Sequence, residues 1–323
     1  MKKAAYMLGF LAIGILLSVF GGMVAMWNKE KGNAKNVQEQ EGTLMGAERK
    51  FIDLVYDDLS DSQKLDLYLP EGGEEPFPLV VFIHGGGWFE CDKADGQEKA
   101  WLKLLDAGYA VASLNYRLSG EAPHPAGIID CKTAIRYLCA HAEEFHIDKT
   151  KIATAGGSSG GHYSLMVAMT TDNPEFEDLE RGYAEESFQV TCAVAWYPAA
   201  DISAIWRDAN NSGWDGFGAN FALQDIERYM GKKILDDTDE DMQKASPIHY
   251  ISETTCPLLL QHGDIDELCP LEQTESFYKK AKSVMPEGTV EMDVLRGANH
   301  ADTAFETDAN MERIRVFLDK YMK

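Results

Sequence analysis

The feature that most constrains the fold is an alternation of two kinds of segment through residues 49–323. Continuously apolar runs such as 79–83 predict strands buried on both faces, because no polar side chain along them faces water. Segments with helical periodicity separate these runs. We predict strands at 51–56, 65–69, 79–83, 109–114, 152–155, 190–196, 258–261 and 290–294, and helices at 97–106, 128–142, 161–170, 273–284 and 308–321.

The first two predicted strands differ from the others, because apolar and polar residues alternate along them as in half-exposed antiparallel strands. The later strands alternate with helices. This order predicts an α/β fold, with a mostly parallel central sheet and helices on both faces. Ligands of such sheets bind at the carboxyl ends of the strands. We therefore expect the loops that follow the strands to carry the chemistry.

The segment 201–246 interrupts this alternation, because it contains no run that resembles a strand core. It is rich in aromatic residues set among Gly, Asn and Asp. Two interpretations are open: a helical excursion that packs its aromatic side chains on the body, or a small helical cap over the site. We favour the cap.

The N-terminus has a different character from the body. Lys2 and Lys3 precede an uncharged, mostly apolar run that ends at Trp27 and is long enough to cross a bilayer core as a helix. Its length favours an uncleaved signal-anchor at 1–27 over a cleaved signal peptide. Residues 28–48 are polar and predict a linker. We expect the body at 49–323 to be extracytoplasmic, either membrane-anchored or secreted.

Charge and cysteine content narrow the classes of function. The formal net charge of −23 argues against nucleic acids and anionic membrane surfaces as partners of the body. The six cysteines contain no C-x-x-C pair, and we expect most of them to be small buried apolar residues. The sequence leaves disulfide pairing and oligomeric state open.

A glycine- and serine-rich turn, Gly-Gly-Ser-Ser-Gly-Gly at 156–161, follows the predicted strand 152–155 and opens a helix. The G-x-S-x-G pattern of a nucleophile on a tight strand-to-helix turn fits Ser159. The same pattern, shifted by one residue, fits Ser158, so the pattern alone does not separate them. The distance from the predicted strand end and a helix beginning after Gly160 favour Ser159.

A second motif, His-Gly-Gly-Gly-Trp at 84–88, follows the buried strand 79–83. Glycines let backbone N–H groups reach a cavity without obstruction by Cβ atoms, which suits an oxyanion hole. No G-K-[ST] follows, so the motif is not a Walker-type phosphate loop. The next residues, Trp88 and Phe89, line the substrate pocket or belong to the core, and the sequence does not distinguish these interpretations.

A serine nucleophile needs a base, and the base needs an orienting carboxylate. Of the eight histidines, we favour His300, which lies in a loop between the last predicted strand and the final helix. Asp264 and Asp266 both follow the strand 258–261, and the pattern leaves both open. The chain order Ser, Asp, His is the order found in α/β-hydrolases.

These motifs carry a resemblance that spans most of the body. The chain resembles the α/β-hydrolase superfamily, and within it the bacterial esterase and lipase branch near the feruloyl and acetyl esterases and the hormone-sensitive-lipase-like carboxylesterases. The resemblance rests on segments 84–88 and 156–161, and is supported by Asn115-Tyr116-Arg117-Leu118, His124-Pro125, His262-Gly263, Asp266, Pro270 and His300.

The resemblance implies an α/β-hydrolase fold and a set of residue roles. Asp266 is preferred over Asp264, because the family's acid stands three residues after the glycine of the His-Gly turn. The implied residues are Ser159 as nucleophile, Asp266 as acid and His300 as base, with an oxyanion hole formed by the amides of Gly86 or Gly87 and of Gly160.

The expected reaction is hydrolysis of short-chain acyl esters, of acetyl or feruloyl type, through an acyl-enzyme. The substrate would be a small-molecule or carbohydrate-linked ester, and the reaction requires no metal or organic cofactor. One alternative is an amide hydrolase, either an arylformamidase or a peptidase. Another is a non-catalytic, membrane-tethered binding protein on a hydrolase fold. A long-chain lipase is disfavoured by the acidic surface.

Overall fold

The computed structural model describes residues 49–211 and 217–323, and the central sheet of this part has eight strands. All eight predicted strands are present, and their bounds differ from the prediction by at most two residues, except that β5 begins five residues earlier than predicted. The predicted signal-anchor or signal peptide at 1–27 and the linker at 28–48 lie outside the described residues. The strands are β1 (Arg49–Val55), β2 (Lys64–Leu69), β3 (Phe77–Ile83), β4 (Ala110–Leu114), β5 (Ile147–Gly157), β6 (Val190–Trp196), β7 (Leu258–Gly263) and β8 (Val290–Leu295).

The strand order is β1-β2-β4-β3-β5-β6-β7-β8. Strands β1 and β2 pair antiparallel, and β2 is antiparallel to β4. All remaining pairs are parallel, as the alternation with helices predicts. The parallel arrangement brings the carboxyl ends of β3, β5, β7 and β8 to one edge of the sheet.

Helices connect the strands and cover both faces. The predicted helix 97–106 is an α-helix that continues as the 3₁₀ segment Lys103–Ala107. Among the described residues, no helix is both long enough and apolar enough to cross a membrane. The helices are α1 (Glu98–Leu102), α2 (Ala126–Ala140), α3 (Ser159–Met169), α4 (Ile202–Asn211), α5 (Phe217–Met230), α6 (Glu240–Lys244), α7 (Glu272–Val284) and α8 (Asp308–Met322).

The sheet separates two apolar clusters, because successive side chains of a strand point to opposite faces. In β3, Leu79, Val81 and Ile83 belong to one cluster, whereas Val80 and Phe82 belong to the other. Both sets are essentially inaccessible to water. Burial on both faces explains why the central strands contain no alternating polar residues.

Helices α4, α5 and α6 form most of the segment 201–246, of which residues 212–216 lie outside the described part. The segment is inserted between β6 and β7, immediately after the carboxyl end of β6. Its strand-free sequence therefore corresponds to helices.

All six cysteines are free, and Cys131, Cys139, Cys192 and Cys269 are buried, as expected of small apolar residues.

Candidate active site

The turn between β5 and α3 holds Ser158 in an unusual backbone conformation, with φ 57° and ψ −123°. A positive φ costs a side-chain-bearing residue on the order of 1–3 kcal/mol, so the surrounding contacts must enforce it. One such contact is the hydrogen bond from the Ser158 amide to the Trp196 carbonyl, at 2.9 Å. The strained turn places the half-buried Ser158 side chain on the wall of a cavity.

The two glycines that flank this serine at a distance of two residues are required sterically. A β-carbon on Gly160 would lie 2.1 Å from the Ile83 carbonyl oxygen. One on Gly156 would lie 2.5 Å from the same oxygen and 2.5 Å from the Gly160 carbonyl carbon. The backbones of Ile83 and Gly156 are held in place, because these two residues pair in the sheet. The close approach of β3, β5 and α3 therefore fits the G-x-S-x-G frame centred on Ser158.

His300 lies between a serine and an aspartate. Its Nε2 is 3.0 Å from Ser158 Oγ, and its Nδ1 is 2.8 Å from Asp266 Oδ2. An ionised carboxylate only accepts hydrogen bonds, so Nδ1–H donates to Asp266 and Nε2 is free to accept the Ser158 hydroxyl proton. The loops after β5, β7 and β8 meet at this point, as the topology requires.

The expectation that Ser159 is the nucleophile is corrected by this geometry. Ser159 is 1% exposed and does not line the cavity, and its hydroxyl has no hydrogen-bond partner within the described residues. The physical reason is the length of β5, which continues to Gly157 rather than ending at Ala155. Helix α3 correspondingly begins at Ser159, so the turn is centred one residue earlier than the predicted boundaries imply.

Asp266 is completely enclosed and heavily hydrogen-bonded. Its Oδ1 accepts from the amides of Leu268 and Cys269 at 2.9 and 2.8 Å, and its Oδ2 also lies 3.2 Å from His262 Nε2. Burial opposes ionisation, but the contacts of the carboxylate with His262 and His300 and the hydrogen bond from the Cys269 amide outweigh it and hold the pKa of Asp266 below its usual range. The carboxylate is therefore kept ionised as a partner for His300.

Asp264, the other candidate acid, has a different role. Its carboxylate accepts a hydrogen bond from the Gly297 amide at 2.5 Å and pairs with Arg296 at 3.1 Å. These contacts connect the loop after β7 to the loop that leads to His300. Asn299 adds a second connection, because its Oδ1 accepts from the amides of Glu267 and His300.

The three glycines after β3 border the same cavity as Ser158. The Gly85 amide donates to Gln97 Oε1 at 2.9 Å, whereas the amides of Gly86 and Gly87 have no protein acceptor among the described residues. Gly86 has φ +107°, and a β-carbon there would lie 2.3 Å from the Glu90 carbonyl oxygen. The loop therefore leaves two backbone donors available beside the serine.

The third predicted donor, the Gly160 amide, has to be revised together with the serine. In a G-x-S-x-G turn the donor is the amide of the residue after the nucleophile. With Ser158 facing His300, that residue is Ser159, the first residue of α3. The N–H groups of a first helical turn have no partner within the helix, which leaves them available to an anion.

Comparison with known proteins identifies the family of the chain. A family model described as BD-FAE matches residues 65–281, which is more than half of the 323-residue chain. The chain belongs to the BD-FAE family. The matched region contains the glycine loop, the Ser158 turn and Asp266, while His300 lies beyond its end.

Among the curated relatives of this BD-FAE chain is an esterase with low sequence identity to it. Esterase LipC of Mycobacterium tuberculosis is 28% identical over 240 residues, which cover 71% of this chain and 57% of LipC. The chain spans about half of the length of the first curated relatives it matches.

Solved structures share the α/β-hydrolase fold. A truncated carbohydrate esterase from gut microbiota has a TM-score of 0.72 and 23% identity, covering 86% of this chain and 97% of that chain. Propionate-bound esterase 2 of Thermogutta terrifontis has a TM-score of 0.64 and 24% identity, covering 86% and 95% of the two chains. The fold prediction is therefore confirmed.

The cavity of this BD-FAE protein has a volume of about 410 Å³ and is bordered by Ser158, His300 and the glycine loop. The segment 201–246 supplies one wall of it. That wall is mostly apolar and contains Ile205, Phe221, Ala222, Asp225 and Ile226. The sequence suggested a cap here without identifying which side chains would reach the site.

Trp88 and Phe89, the two tentative pocket residues, are placed differently. Trp88 borders the cavity although it is 5% exposed, and its indole N–H donates to His162 Nδ1 at 3.1 Å. His162 Nε2–H in turn donates to the Ala245 carbonyl at 2.7 Å, and burial lowers the pKa of His162 to about 3. Phe89 does not line the cavity and instead packs under the Arg228 guanidinium, 3.8 Å from the ring centroid.

Sequence reasoning missed Asp225 in α5. It is 5% exposed, borders the cavity, and burial raises its pKa to about 7, with Arg228 opposing and Glu90 adding to the shift. No motif surrounds it, so no local signal marks it. Within the described residues, no cluster of three or more His, Cys, Asp or Glu side chains could hold a metal ion.

Proposed function

We propose that this protein is a serine carboxylic-ester hydrolase that acts on short-chain acyl esters through an acyl-enzyme. The observation that carries the proposal is the position of His300, with Ser158 Oγ 3.0 Å from one ring nitrogen and Asp266 Oδ2 2.8 Å from the other. A hydroxyl, an imidazole and a buried carboxylate in this order make a serine nucleophilic. Three amides that could stabilise an oxyanion lie nearby.

In the proposed reaction, Ser158 Oγ attacks the ester carbonyl while His300 Nε2 takes its proton. Asp266 holds the imidazole in the correct tautomer and stabilises the imidazolium that forms. The amides of Gly86, Gly87 and Ser159 would donate to the oxyanion of the tetrahedral intermediate. His300 then protonates the leaving alcohol, and water repeats the sequence on the acyl-enzyme, so the chemistry needs no cofactor.

The substrate proposal is a small ester with a short acyl group, of acetyl or feruloyl type. The cavity of about 410 Å³ is at the small end of the range usual for ligand pockets. One structural relative is described as bound to propionate and another as a carbohydrate esterase, which supports a short acyl group and a carbohydrate-linked ester here. The placement outside the cytoplasmic membrane stays a prediction.

The decisive experiment compares wild type with Ser158→Ala and with Ser159→Ala, its matched neighbour. Wild type should hydrolyse p-nitrophenyl acetate and butyrate faster than esters with acyl chains above about eight carbons. Ser158→Ala should lower kcat/KM by a factor of at least about 10⁴, as expected when a nucleophile is removed. Ser159→Ala should change it by less than about tenfold, because it removes a buried hydroxyl that has no partner.

A fluorophosphonate probe gives an independent readout, since peptide mapping should locate the adduct on Ser158. An adduct on Ser159, or a larger loss of activity in Ser159→Ala than in Ser158→Ala, would identify Ser159 as the nucleophile. Cleavage of N-formylkynurenine or peptide amides in preference to esters would favour the amide hydrolase. Absence of any hydrolysis by the wild type would favour a binding protein.

A further inference from the structure

Several polar side chains that border the cavity have no part in the proposed mechanism: Glu90, Gln97, Tyr197, Asp225 and Glu306. Asp225 is the one that the inserted segment contributes. Asp225 lies on α5 in the inserted segment, and its side chain is 7% exposed. It faces the same cavity as Ser158 and His300. A carboxyl group buried to this extent is costly unless it has partners.

The partners that the protein supplies to Asp225 are few. Arg228, one turn further along α5, approaches Oδ1 at 3.5 Å, which is the outer limit of a hydrogen bond. Within the described residues, Oδ2 accepts no hydrogen bond. Asp266 provides the contrast, since its Oδ1 accepts from two amides and its Oδ2 accepts from His300, with His262 Nε2 3.2 Å away. Asp225 therefore has unused capacity to accept a hydrogen bond.

Asp225 Oδ2, which can accept a further hydrogen bond, lies beside the proposed reaction site. A β-carbon on Gly87 would lie 2.6 Å from Asp225 Oδ2, so the carboxyl group is packed directly against the glycine loop. Gly87 supplies one of the amides proposed to bind the oxyanion. A substrate group that reaches Asp225 is consequently held close to the ester bond that is cleaved.

The surrounding charges select the type of group that fits. A substrate carboxylate is disfavoured, because Asp225 and Glu90 both border the cavity. Arg228 already pairs with the Asp225 carboxyl and is held over the Phe89 ring, so part of the negative charge is balanced and a substrate group needs to supply a hydrogen-bond donor rather than a second positive charge. A neutral hydroxyl meets no charge repulsion, and it can donate to the carboxylate or exchange hydrogen bonds with the protonated acid.

We propose that Asp225 is a specificity-determining residue that accepts a hydrogen bond from a substrate hydroxyl, so that the preferred ester carries a free hydroxyl near the cleaved bond. This inference rests on the proposed ester hydrolase function. It identifies the substrate class as hydroxylated esters, with the hydroxyl on the alcohol or on the acyl part. The test contains one pair of substrates for each location.

The alcohol pair is glycerol monoacetate and propyl acetate, and the acyl pair is ethyl 3-hydroxybutyrate and ethyl butyrate. For each pair, acid release in a pH-stat gives the ratio of kcat/KM for the hydroxylated ester to that for its deoxy analogue. Because both rates are measured on the same preparation, the ratio is independent of the fraction of folded enzyme. Comparison between variants cancels the intrinsic reactivity of the esters.

In at least one pair, Asp225→Leu should lower this ratio by about tenfold or more relative to wild type, since a hydrogen bond to a buried acceptor is lost. Asp225→Ala is the second variant, because its small side chain avoids overpacking if the leucine prevents folding. Asp225→Asn should retain part of the preference through its amide. Glu227→Gln is the matched control on the same helix, and its ratio should equal that of wild type.

Unchanged ratios in both pairs for Asp225→Leu and Asp225→Ala, in an enzyme that hydrolyses these esters, would overturn the inference and leave the proposed function intact. An equal fall in the ratio for Glu227→Gln would also overturn it, because the effect would then not be specific to the cavity. A wild type that hydrolyses p-nitrophenyl acetate but none of the four esters would overturn this inference alone. A wild type that hydrolyses neither p-nitrophenyl acetate nor any of the four would overturn the proposed function and this inference with it.

Discussion

Two buried carboxyl groups near the cavity are held in opposite ways. Asp266, on the loop after β7, has no exposed side-chain surface and a pKa below its usual range. Asp225, on the inserted helix α5, is almost as well buried, but its pKa is raised to about 7. Burial opposes ionisation of both, so the difference lies in the hydrogen-bond donors around them.

The comparison extends to the regions in which the two groups lie. The floor of the cavity consists of loops at one edge of a parallel sheet, and these loops are connected to one another through Asp264 and Asn299. The wall formed by 201–246 is mostly apolar, with one polar side chain that has little support. The floor holds the groups proposed to carry out the reaction, whereas the wall holds the group proposed to set substrate preference.

The largest expected effect tests the floor. Asp266→Asn should lower kcat for p-nitrophenyl acetate by about 10⁴, because an amide in place of the carboxylate stabilises neither the right His300 tautomer nor the imidazolium. Asp264→Asn is the matched control in the same loop and should lower kcat by less than about tenfold, since it touches the loop rather than His300. Equal losses of kcat in the two variants would show that Asp266 is not the acid that supports His300.

The next effect concerns the glycine loop that joins floor and wall. Gly86→Ala should lower kcat/KM by about 10²–10³, because its β-carbon would collide with the Glu90 carbonyl and displace the amides proposed for the oxyanion. Gly120→Ala, at a glycine with open space around it, should have little effect on the same assay. Retention of full activity by Gly86→Ala would exclude this loop from the oxyanion hole.

The smallest effect tests the wall through the pH dependence of stability. Because the pKa of Asp225 is raised from 3.8 to about 7, the folded state binds more protons than the unfolded state between these values. The free energy of unfolding contributed by this group therefore falls as pH rises from about 4 to about 7. Asn at this position never ionises, so Asp225→Asn should gain stability relative to wild type at the higher pH.

Urea unfolding at pH 5 and pH 8 measures this gain. The stability difference between Asp225→Asn and wild type should increase by about 2 kcal/mol between the two pH values, which is less than the full pKa change would give, because pH 5 already lies above the unfolded pKa of 3.8. A difference that does not vary with pH would show that Asp225 ionises as readily in the folded as in the unfolded state, and the contrast with Asp266 would fail.

Much of the fold could be predicted from the apolar pattern. Strands such as β6, buried on both faces, must be continuously apolar, and β6 has the predicted bounds, 190–196. Strand ends are harder where the last residues carry no apolar signal, as in β5 and β7, which end in glycine. This is the reason why β5 extends to Gly157, beyond its predicted end.

That difference of two residues decided which serine faces His300. Two overlapping G-x-S-x-G frames are present in the sequence, and both satisfy the same composition rule. The tertiary structure separates them, because Ser158 Oγ lies 3.0 Å from His300 Nε2 while Ser159 is 1% exposed, and His300 is distant in sequence. A pattern confined to six residues cannot contain that information.

The sequence by itself determined the α/β class, the strands and helices, and the loops in which His300, Asp266 and the glycine-rich motifs lie, because periodicity and chain order are local properties. The tertiary structure alone decided that Ser158 rather than Ser159 meets His300, and that Asp225 is buried beside Gly87. Both outcomes depend on the packing of segments far apart in the chain, where the positions of backbone carbonyls and the exclusion of water are set by neighbours that no local pattern records.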